Sequence, residues 1–426
     1  MSSTTPDSHA PIRVTLMSIG DELLLGEITD TNMPWIARTL MPLGMLVCGS
    51  ETVGDEMSDI VGAFQRALAR STVVIATGGL GPTADDITSE ALAQTVGVEL
   101  EFYPDVMVQM AERLKRPIET LSGSNRKQAM LPKGARVLKN DWGTAPGVHF
   151  ATKDGKHVFL MAGVPREMKG ILAERIVPWL KEAFPSPHAI VVHSLHAFGI
   201  GESVIGERIK PLMQAGLNPN VGTRVGGGTV TVRLVATGKA EAEAKAVLAP
   251  AVAQVRDALK DGYFGEGDAT IASAALTALL NKKATVALAE SCTAGLVASM
   301  LAEIPGASNA LLEGGVVYSN DAKMRTCGVK PETLKAHGAV SAETAGELAA
   351  GIRERAGATI GLSVTGIAGP GGGSEKKPVG LVYYGIATPK GVKTFERMFA
   401  GLDRNVLRER ASTFALDYLR RAADEL

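Results

Sequence analysis

Short apolar runs alternate with stretches of helical periodicity over the first 170 residues or so. Arg13–Gly20 and Thr72–Thr77 have the length and apolar content of buried strands. Thr31–Leu43 and Asp55–Arg70 instead space their apolar residues as an amphipathic helix does. Strands that alternate with helices are typical of a parallel sheet with helices on both faces. We therefore predict an α/β domain over residues 11–170.

The pattern changes over residues 171–260. A helical stretch and a proline break precede the strand-like run Ala189–Phe198, and Thr229–Ala236 alternates as a half-exposed strand does. A charged, alanine-rich helix, Ala240–Leu259, closes the segment. These features predict a small α+β module. Residues 261–268 contain three glycines and are predicted to be a linker.

Strand and helix patterns alternate again over residues 269–426. Apolar strands are predicted at 284–289, Gly315–Ser319 and Thr359–Thr365, with helices between them and a last helix at Arg404–Ala423. This alternation predicts a second α/β domain.

Composition and charge narrow the setting. The 44 basic and 45 acidic residues give a net charge of −1, so no global field favours nucleic acid or an anionic membrane. The three cysteines are scattered and form no Cys-x-x-Cys pair, which indicates a reducing compartment and no cysteine-based zinc site. Residues 1–10 are polar and are predicted to be a disordered tail. No apolar run is long enough to span a bilayer, and the expected location is the cytoplasm.

The run from Ala284 to Gly295 carries the first candidate chemistry. Six mostly apolar residues lead into Glu290, Ser291, Cys292 and Thr293, and an alanine-rich helical stretch follows. This order predicts a strand, a sharp turn and a helix. Ser291 would then lie near a helix N-terminus, where free N–H groups favour developing negative charge. Two interpretations stay open: Ser291 is an ordinary helix cap, or it is a nucleophile.

A nucleophilic serine needs a base, and the last 158 residues contain a single histidine, His337. It precedes Gly338 and resembles a helix C-terminus, so a Ser-His-Asp triad is disfavoured. Lys323 follows a predicted strand and can act as base if burial lowers its pKa from about 10.4 to roughly 7–8. The alternative is a solvated surface lysine. Cys292 is a rival nucleophile, although a cysteine between two polar residues more often packs inward.

Glycine-rich turns follow buried strands at two places. Residues 366–373 contain five glycines, and such loops bring backbone N–H groups close to an anion; a flexible linker is the alternative. Thr77–Thr88 contains Gly78, Gly79 and Gly81 followed by the acids Asp85 and Asp86. This arrangement suits a phosphate and a divalent cation, whereas the alternative is simple capping of the next helix.

Five blocks of residues 269–426 resemble the nicotinamide-nucleotide amidohydrolase domain of the CinA family. They are 289–295, 318–323, 337–341, 366–374 and 377–380. The resemblance implies hydrolysis of the carboxamide of nicotinamide mononucleotide to nicotinate mononucleotide and ammonia, without a cofactor. It implies Ser291 as nucleophile and Lys323 as base, with Tyr318 and Thr293 nearby and Arg404 on the substrate. The residues implied to hold the nucleotide are Gly366, Ile367, Ala368, Gly369, Gly371 and Gly372. This chain differs from the family pattern in Ala294, where glycine is usual, and in the extra residue Leu402.

The N-terminal segment resembles the N-terminal domain of the same family, whose fold is similar to that of molybdopterin-binding proteins. The matching blocks are 18–26, 77–88, 125–129, 143–147 and 163–168. The resemblance implies an ADP-ribose pyrophosphatase that needs a divalent metal (Mg, Mn or Co), with K⁺ as an optional second ion. The implied substrate-binding residues are Gly78, Gly79, Gly81, Thr83, Asn125, Lys127, Gln128, Gly143, Thr144 and Pro146, and the implied metal ligands are Asp85, Asp86 and Asp21. Asp21 stands where the family commonly has threonine, and Ala162 where it often has proline.

Residues 171–260 resemble the family's KH-like connector. Their net charge of +3 is too small for a nucleic-acid platform, so direct nucleic-acid binding is not expected. The combined expectation is a homodimeric enzyme of pyridine-nucleotide salvage whose small-molecule partners are nicotinamide mononucleotide and ADP-ribose. Two alternatives remain open: the N-terminal domain binds molybdopterin, or the protein is a non-enzymatic adaptor in competence or recombination.

Overall fold

The computed structural model describes residues 12–185 and 189–426, and the tail predicted at 1–10 lies outside them. The chain divides into two compact units. One extends to Val192 and includes Ala236–Val247; the other comprises His193–Val235 and Leu248–Leu426. No helix in the described ranges is both long and apolar enough to cross a membrane.

The first unit is an α/β domain. Its strands are β1 (Ile12–Ile19), β2 (Met45–Val53), β3 (Val73–Thr77), β4 (Leu100–Phe102), β5 (Met130–Pro132), β6 (Arg136–Leu138), β7 (Gly147–Ala151) and β8 (His157–Met161). Its helices are α1 (Asp21–Leu24), α2 (Asn32–Leu40), α3 (Met57–Arg70), α4 (Thr88–Val96), α5 (Pro104–Leu114), α6 (Gly123–Gln128), α7 (Pro165–Ile171) and α8 (Val177–Ala183). A π-helical turn, Leu172–Ile176, joins the last two helices.

The main sheet of this domain has the order β2-β1-β3-β8-β7-β6. The four strands from β2 to β8 are parallel, as the sequence predicts. The sheet departs from a fully parallel one at β7 and β6, which pair antiparallel. The short connection between β7 and β8 explains this, because a parallel pair needs a crossover of a dozen or more residues.

A cluster of aromatic and histidine side chains lies between β7, β8 and α8. The His149 ring stacks on Phe159 at 4.5 Å and approaches Trp179 at 4.4 Å, while its Nε2 lies 3.1 Å from Nδ1 of His157. Burial, with smaller contributions from His157 and Arg136, lowers the pKa of His149 to about 4. His149 is therefore neutral in the folded domain at neutral pH.

This cluster predicts an acid-sensitive first unit. His149 takes up a proton below pH about 6.5 in the unfolded chain, but only below pH about 4 in the folded chain. Stability is thus full above pH 6.5 and falls by about 3 kcal/mol on acidification to pH 4. His149→Phe should flatten that slope. The measurement is urea unfolding followed by tryptophan fluorescence, since all three tryptophans (Trp35, Trp142 and Trp179) lie in this unit; an unchanged slope in the variant contradicts the assignment.

The middle segment forms the predicted α+β module. Its elements are β9 (Ala189–Phe198), α9 (Glu202–Ile209), β10 (Asn220–Gly226), β11 (Thr229–Gly238), α10 (Glu241–Leu259) and β12 (Tyr263–Glu266), and its sheet has the order β10-β11-β9-β12. The linker predicted at 261–268 is wrong, because β12 pairs antiparallel with β9. The Glu266 carboxylate bonds His193 and the Tyr263 hydroxyl at 2.8 Å each and also Arg256. These contacts fix a glycine-rich segment as an edge strand.

The last segment forms the second α/β domain. Its strands are β13 (Val286–Glu290), β14 (Leu311–Val316), β15 (Ile360–Gly366), β16 (Leu381–Thr388) and β17 (Gly391–Met398). Its helices are α11 (Ile271–Asn281), α12 (Leu296–Ala302), α13 (Asn320–Cys327), α14 (Pro331–His337), α15 (Ala342–Ala356) and α16 (Arg404–Asp424). The sheet order is β14-β13-β15-β16-β17, parallel over the first three strands and antiparallel over the last two.

One boundary in this domain changes the local interpretation. The strand predicted at Gly315–Ser319 is β14, which ends at Val316. Lys323 consequently lies on α13, whose N-terminus is capped by the Ser319 hydroxyl accepting the N–H of Ala322. A helix holds the lysine backbone more rigidly than a loop after a strand would.

Candidate active site

Three parallel strands of the second domain end side by side. Ser291 directly follows β13, Lys323 comes seven residues after β14, and the glycine-rich loop begins at the end of β15. Backbone bonds align these ends: the Ser291 N–H donates to Val364 O (2.9 Å), and the Val317 N–H donates to Glu290 O (2.7 Å). The carboxyl ends of neighbouring parallel strands form the common site position of α/β folds.

Ser291 and Lys323 are in direct contact. Lys323 Nζ lies 3.0 Å from Ser291 Oγ, and the two residues are only 8% and 1% exposed. The same Nζ donates to the carbonyl oxygens of Val317 (2.8 Å) and Tyr318 (3.1 Å). These three oxygens match the three donors of an ammonium, and they equally match the two protons and one lone pair of a neutral amine.

Burial lowers the pKa of Lys323, and the nearby thiols of Cys292 and Cys327 act in the opposite direction. The lysine is thus the buried amine that a base requires, and it is not the solvated side chain that the sequence left open. In the neutral form its lone pair faces the Ser291 hydroxyl. This arrangement can deprotonate Ser291 and activate it as a nucleophile.

Glu290, and not Ser291, caps the following helix. Its carboxylate, 2% exposed, accepts the N–H groups of Gly295 (2.9 Å), Val297 (3.1 Å) and Ala298 (2.9 Å). These are the donors that a helix N-terminus leaves unpaired. The interpretation of Ser291 as a helix cap is therefore wrong, because the cap is the residue before it and the Ser291 hydroxyl is left to Lys323.

The turn between Glu290 and α12 has a left-handed backbone at two positions. Ala294 has φ 51° and Gly295 has φ 91°. A left-handed conformation costs a non-glycine residue about 1 kcal/mol, which gives a physical reason for a glycine at position 294. The Ala294 N–H donates to Ser291 O (3.1 Å) and closes the turn despite that cost.

Cys292 and Thr293 point into the protein. Cys292 is 3% exposed within the apolar core, and burial raises the pKa of its thiol to about 12. It is therefore no rival to Ser291 as nucleophile. Thr293 is fully buried, and its Oγ1 has no hydrogen-bond partner among the described residues. The Thr293 carbonyl accepts a bond of 2.9 Å from Arg408, a contact that the sequence analysis missed.

Arg404 joins two parts of the site. Its Nη1 donates to Gly369 O (2.6 Å), and its Nη2 donates to the Tyr318 hydroxyl (3.1 Å). It is the first residue of α16, so the extra Leu402 does not move it away from the site. Tyr318 is 57% exposed. Arg408 lies one turn further along α16, and the i,i+4 spacing from Arg404 was the available sequence signal.

The glycine-rich loop has a buried base and an exposed tip. Gly366, Ile367, Ala368 and Gly369 are partly or fully buried, whereas Gly371 and Gly372 are exposed. Ile367 uses both backbone groups within the fold, donating to Leu381 O (2.9 Å) and accepting from the Gly380 N–H (2.8 Å). The loop is consequently built into the domain at its base, which rules out a free linker.

His337 is the last residue of α14, as its sequence context predicts. Its side chain is half-exposed and lies 3.4 Å from Glu343. Its carbonyl, like that of Val340, accepts a bond from Nζ of Lys377. Lys377 thereby ties the glycine-rich loop to the segment that precedes α15.

The first unit contains a separate cleft of about 530 Å³ at the carboxyl ends of β1, β2, β3 and β8. Of the residues implied by the resemblance, those that line it are Gly78, Gly79, Gly81, Gln128, Thr144, Asp85 and Asp86. Gly78 packs so closely on the Ile19 carbonyl that a Cβ would lie 2.0 Å from its oxygen. Gln128 is buried, donates to Leu80 O (3.0 Å), and leaves its Oε1 without a partner in the described part of the chain.

Five carboxylates line this cleft: Glu22, Asp55, Asp85, Asp86 and Glu167. Burial raises the pKa of Asp55, and the charges of Asp21, Glu22 and Asp85 raise it further. Such mutual repulsion fits a site for a cation. No cluster of three or more metal-ligating side chains occurs within the described residues. Mg²⁺ is nonetheless often held by one or two carboxylates with water and substrate phosphate, so the adjacent pair Asp85 and Asp86 fits that ion.

The other residues that the resemblance implies for this unit do not line the cleft. Thr83 bonds Asp86 through its N–H (2.8 Å) and hydroxyl (2.5 Å), and Lys127 donates to the Thr83 carbonyl (2.8 Å). Asn125 forms a capping box with Ser122 at the start of α6. The remaining implied residues, Gly143, Pro146 and Asp21, are also not among the lining residues. Asp21 instead exchanges backbone–carboxylate bonds with Asp55, at 3.0 and 3.1 Å.

Comparison with known proteins follows the same division. Residues 15–182 match the family model described as "Probable molybdopterin binding domain". Residues 193–265 match the model of the "Damage-inducible protein CinA KH domain". Residues 268–423 match the model of the "CinA C-terminal domain". A CinA-like protein from Kosmotoga olearia is 40% identical over 413 residues, covering 96% of this chain and 99% of its own.

Solved structures are similar to single domains. The competence/damage inducible protein CihA from Agrobacterium tumefaciens is 41% identical, covers 36% of this chain and 93% of its own, and gives a TM-score of 0.35. The CinA protein of Thermoplasma acidophilum is 31% identical, with coverages of 41% and 98% and a TM-score of 0.37. From the family models that its three segments match, the molecule is a three-part α/β protein with a molybdopterin-binding-like domain, a KH-like connector and a CinA C-terminal domain. The chain belongs to the CinA family.

Proposed function

We propose that the second domain hydrolyses the carboxamide of nicotinamide mononucleotide through Ser291 and Lys323. The observation that carries the proposal is the 3.0 Å contact between a buried lysine amine and a serine hydroxyl at the end of β13. A serine with an adjacent base is the arrangement that acyl transfer requires. The resemblance of blocks in residues 269–426 to the nicotinamide-nucleotide amidohydrolase domain supports a nucleotide amide as the substrate.

The chemistry proceeds in two halves. Neutral Lys323 takes the hydroxyl proton as Ser291 Oγ attacks the carboxamide carbon, and the same proton then goes to the departing nitrogen as ammonia leaves. Water attacks the resulting ester with Lys323 again as base. The C–O bond to Ser291 breaks as Lys323 returns the proton taken from water to Ser291 Oγ, and the carboxylic acid is released and ionises to nicotinate mononucleotide. Tyr318 and Arg404, which bond each other next to the dyad, would contact the pyridine ring and the phosphate.

The test is ammonia release from nicotinamide mononucleotide by the purified chain. We expect ammonia and nicotinate mononucleotide in equal amounts, with one oxygen from labelled water in the new carboxylate. Cys292→Ala is the matched control next to the nucleophile and should retain activity, because the thiol is buried and protonated. Absence of ammonia, or loss of activity in a folded Cys292→Ala protein, contradicts the proposal.

For the first unit we propose a metal-dependent ADP-ribose pyrophosphatase. The observation that favours it is the cleft at the strand ends, where the glycine turn after β3 meets Asp85 and Asp86. These two carboxylates would hold a divalent ion, which supplies positive charge to pyrophosphate oxygens when bound. The glycine turn would bring backbone N–H groups to the same oxygens.

Asp86→Asn tests this second activity. We expect AMP formation from ADP-ribose, followed by chromatography across Mg²⁺, Mn²⁺ and Co²⁺, to fall by about 10²-fold or more. The substitution keeps an oxygen for the Thr83 bonds, so the fold should persist. Amide hydrolysis should be unchanged in the same preparation. AMP formation that does not depend on metal or on Asp86 contradicts the assignment, whereas the absence of AMP under every metal favours the molybdopterin-binding alternative.

A further inference from the structure

A second cavity of about 380 Å³ lies in the second unit, between the Gly199 turn, the edge strand β17 and the C-terminal half of α16. We refer to it as the α16 cavity. Ser291 and Lys323 are not among its lining residues. Its volume lies within the range typical of small-molecule sites.

Aromatic rings form one wall of the α16 cavity. Phe395 and Tyr418 stack with centroids 4.1 Å apart and planes 10° from parallel. Phe414 packs beside them, 6.3 Å from Tyr418. Such a wall offers an apolar surface to a planar ring or a sugar.

Cationic side chains surround the mouth of the cavity. Lys393 pairs with Glu425 (2.8 Å), and Arg421 pairs with Asp417 (2.7 Å). Arg397 has no carboxylate within 4.0 Å among residues 12–185 and 189–426. Three cations therefore face two anions in the lining, and the excess positive charge belongs to Arg397.

Arg397 is also held in a fixed orientation. Its Nε donates to the Tyr418 hydroxyl (2.9 Å), and its guanidinium carbon lies 5.1 Å from the centre of the Phe414 ring. Its two terminal nitrogens, Nη1 and Nη2, have no hydrogen-bond partner in the described part of the chain and can bind a ligand. A planar donor fork fixed on an aromatic wall suits a phosphate or carboxylate group.

We propose that the α16 cavity binds a small organic phosphate that carries a ring, such as a nucleoside monophosphate. The phosphate would bind Arg397 and Arg421 at the mouth, and the ring or sugar would lie against Phe414 and Tyr418. This binding site is separate from the Ser291 dyad and from the cleft of the first unit.

Isothermal titration tests the proposal on the full chain at low ionic strength. The probes are AMP, nicotinate mononucleotide, ribose 5-phosphate and inorganic phosphate. Beside any binding of these products at the two proposed active sites, we expect one binding event that depends on Arg397. Its affinity falls at least tenfold in Arg397→Gln and recovers in part in Arg397→Lys. Arg410→Gln is the matched control, because it lies on the same helix but not in the cavity, and should bind as the unmodified chain does.

Two further arms keep the result interpretable. Lys393→Ala, at an exposed rim position, should weaken binding without any effect on folding. Ser291→Ala and Asp86→Asn should leave this event intact, so that failure of either proposed activity is distinguishable from failure of this site. An isotherm unchanged by Arg397→Gln overturns the proposal. Equal affinity for inorganic phosphate and AMP overturns the role of the aromatic wall.

Discussion

Lys323→Met is expected to lower kcat for amide hydrolysis by about 10⁴-fold, to the level of Ser291→Ala. Methionine has a similar length but offers neither a proton nor a lone pair to Ser291. The two residues act as a unit, so the double variant should be little worse than either single one. The measurement is ammonia release under saturating substrate. If the fold-loss of kcat in the double variant equals the product of the two single losses, the two residues act independently.

The pH profile gives the same prediction a second readout. Only the neutral amine can accept the serine proton, so kcat/KM should rise with pH and level off above the pKa of Lys323. Burial lowers that pKa, so the plateau should begin below the pH range in which surface lysines titrate. The rise of kcat/KM with pH should be absent from the residual activity of Lys323→Met.

Lys377→Met is the matched control for that experiment. Lys377 also donates to two backbone carbonyls, those of His337 and Val340, but it does not touch Ser291. Its loss removes bonds of the same kind from the same domain. We expect kcat to change by less than about tenfold. An equal loss in Lys377→Met would mean that the effect of Lys323→Met reflects loop geometry and not proton transfer.

Glu290→Ala is expected to lower the stability of the second domain by about 3–5 kcal/mol. The change leaves three N–H groups without their acceptor, a buried one at Val297 and part-buried ones at Gly295 and Ala298. Each unpaired buried group costs roughly 1–3 kcal/mol before the structure relaxes. Glu290→Gln should cost less, since it keeps one acceptor oxygen and the side-chain volume. The measurement is chemical unfolding followed by circular dichroism.

Glu303→Ala provides the comparison at the other end of α12. Glu303 is exposed and follows the last residue of the helix, so its removal should change stability by no more than about 0.5 kcal/mol. If Glu290→Ala is no more costly than Glu303→Ala, the three N–H bonds do not hold the turn. Activity measured well below the unfolding transition should also fall in Glu290→Ala, because the turn positions Ser291.

The residues of the dyad were accessible from the sequence, whereas the support around them was not. Ser291 and Lys323 stand out because each follows an apolar run of strand length, and strand ends gather sites. Burial of Lys323 depends on how α13 packs under α15, which no local pattern encodes. The capping role of Glu290 was missed for a related reason. An acid at the end of a strand does not show whether it turns back onto the following helix.

Local composition also misled the interpretation of residues 261–268. Three glycines predict a flexible connection, yet β12 forms because Glu266 meets Arg256, ten residues before it, and His193, 73 residues before it. The strands predicted at Val379–Thr388 and near Lys393–Phe399 are β16 and β17, but the antiparallel pairing at the edges of both α/β sheets was not predicted. A strand's direction depends on the path of the connection before it, which the apolar pattern does not show.

Cys292 gives this site a property that concerns oxidation and not hydrolysis. With a pKa of about 12, only about one in 10⁵ of its thiols is ionised at neutral pH, and oxidants and alkylating reagents react with the ionised form. Its side chain is also closed off within the core. The Cys292 thiol therefore lies next to the nucleophile without reacting with peroxide. Hydrolysis at Ser291 should continue under oxidative conditions that inactivate enzymes with a catalytic cysteine.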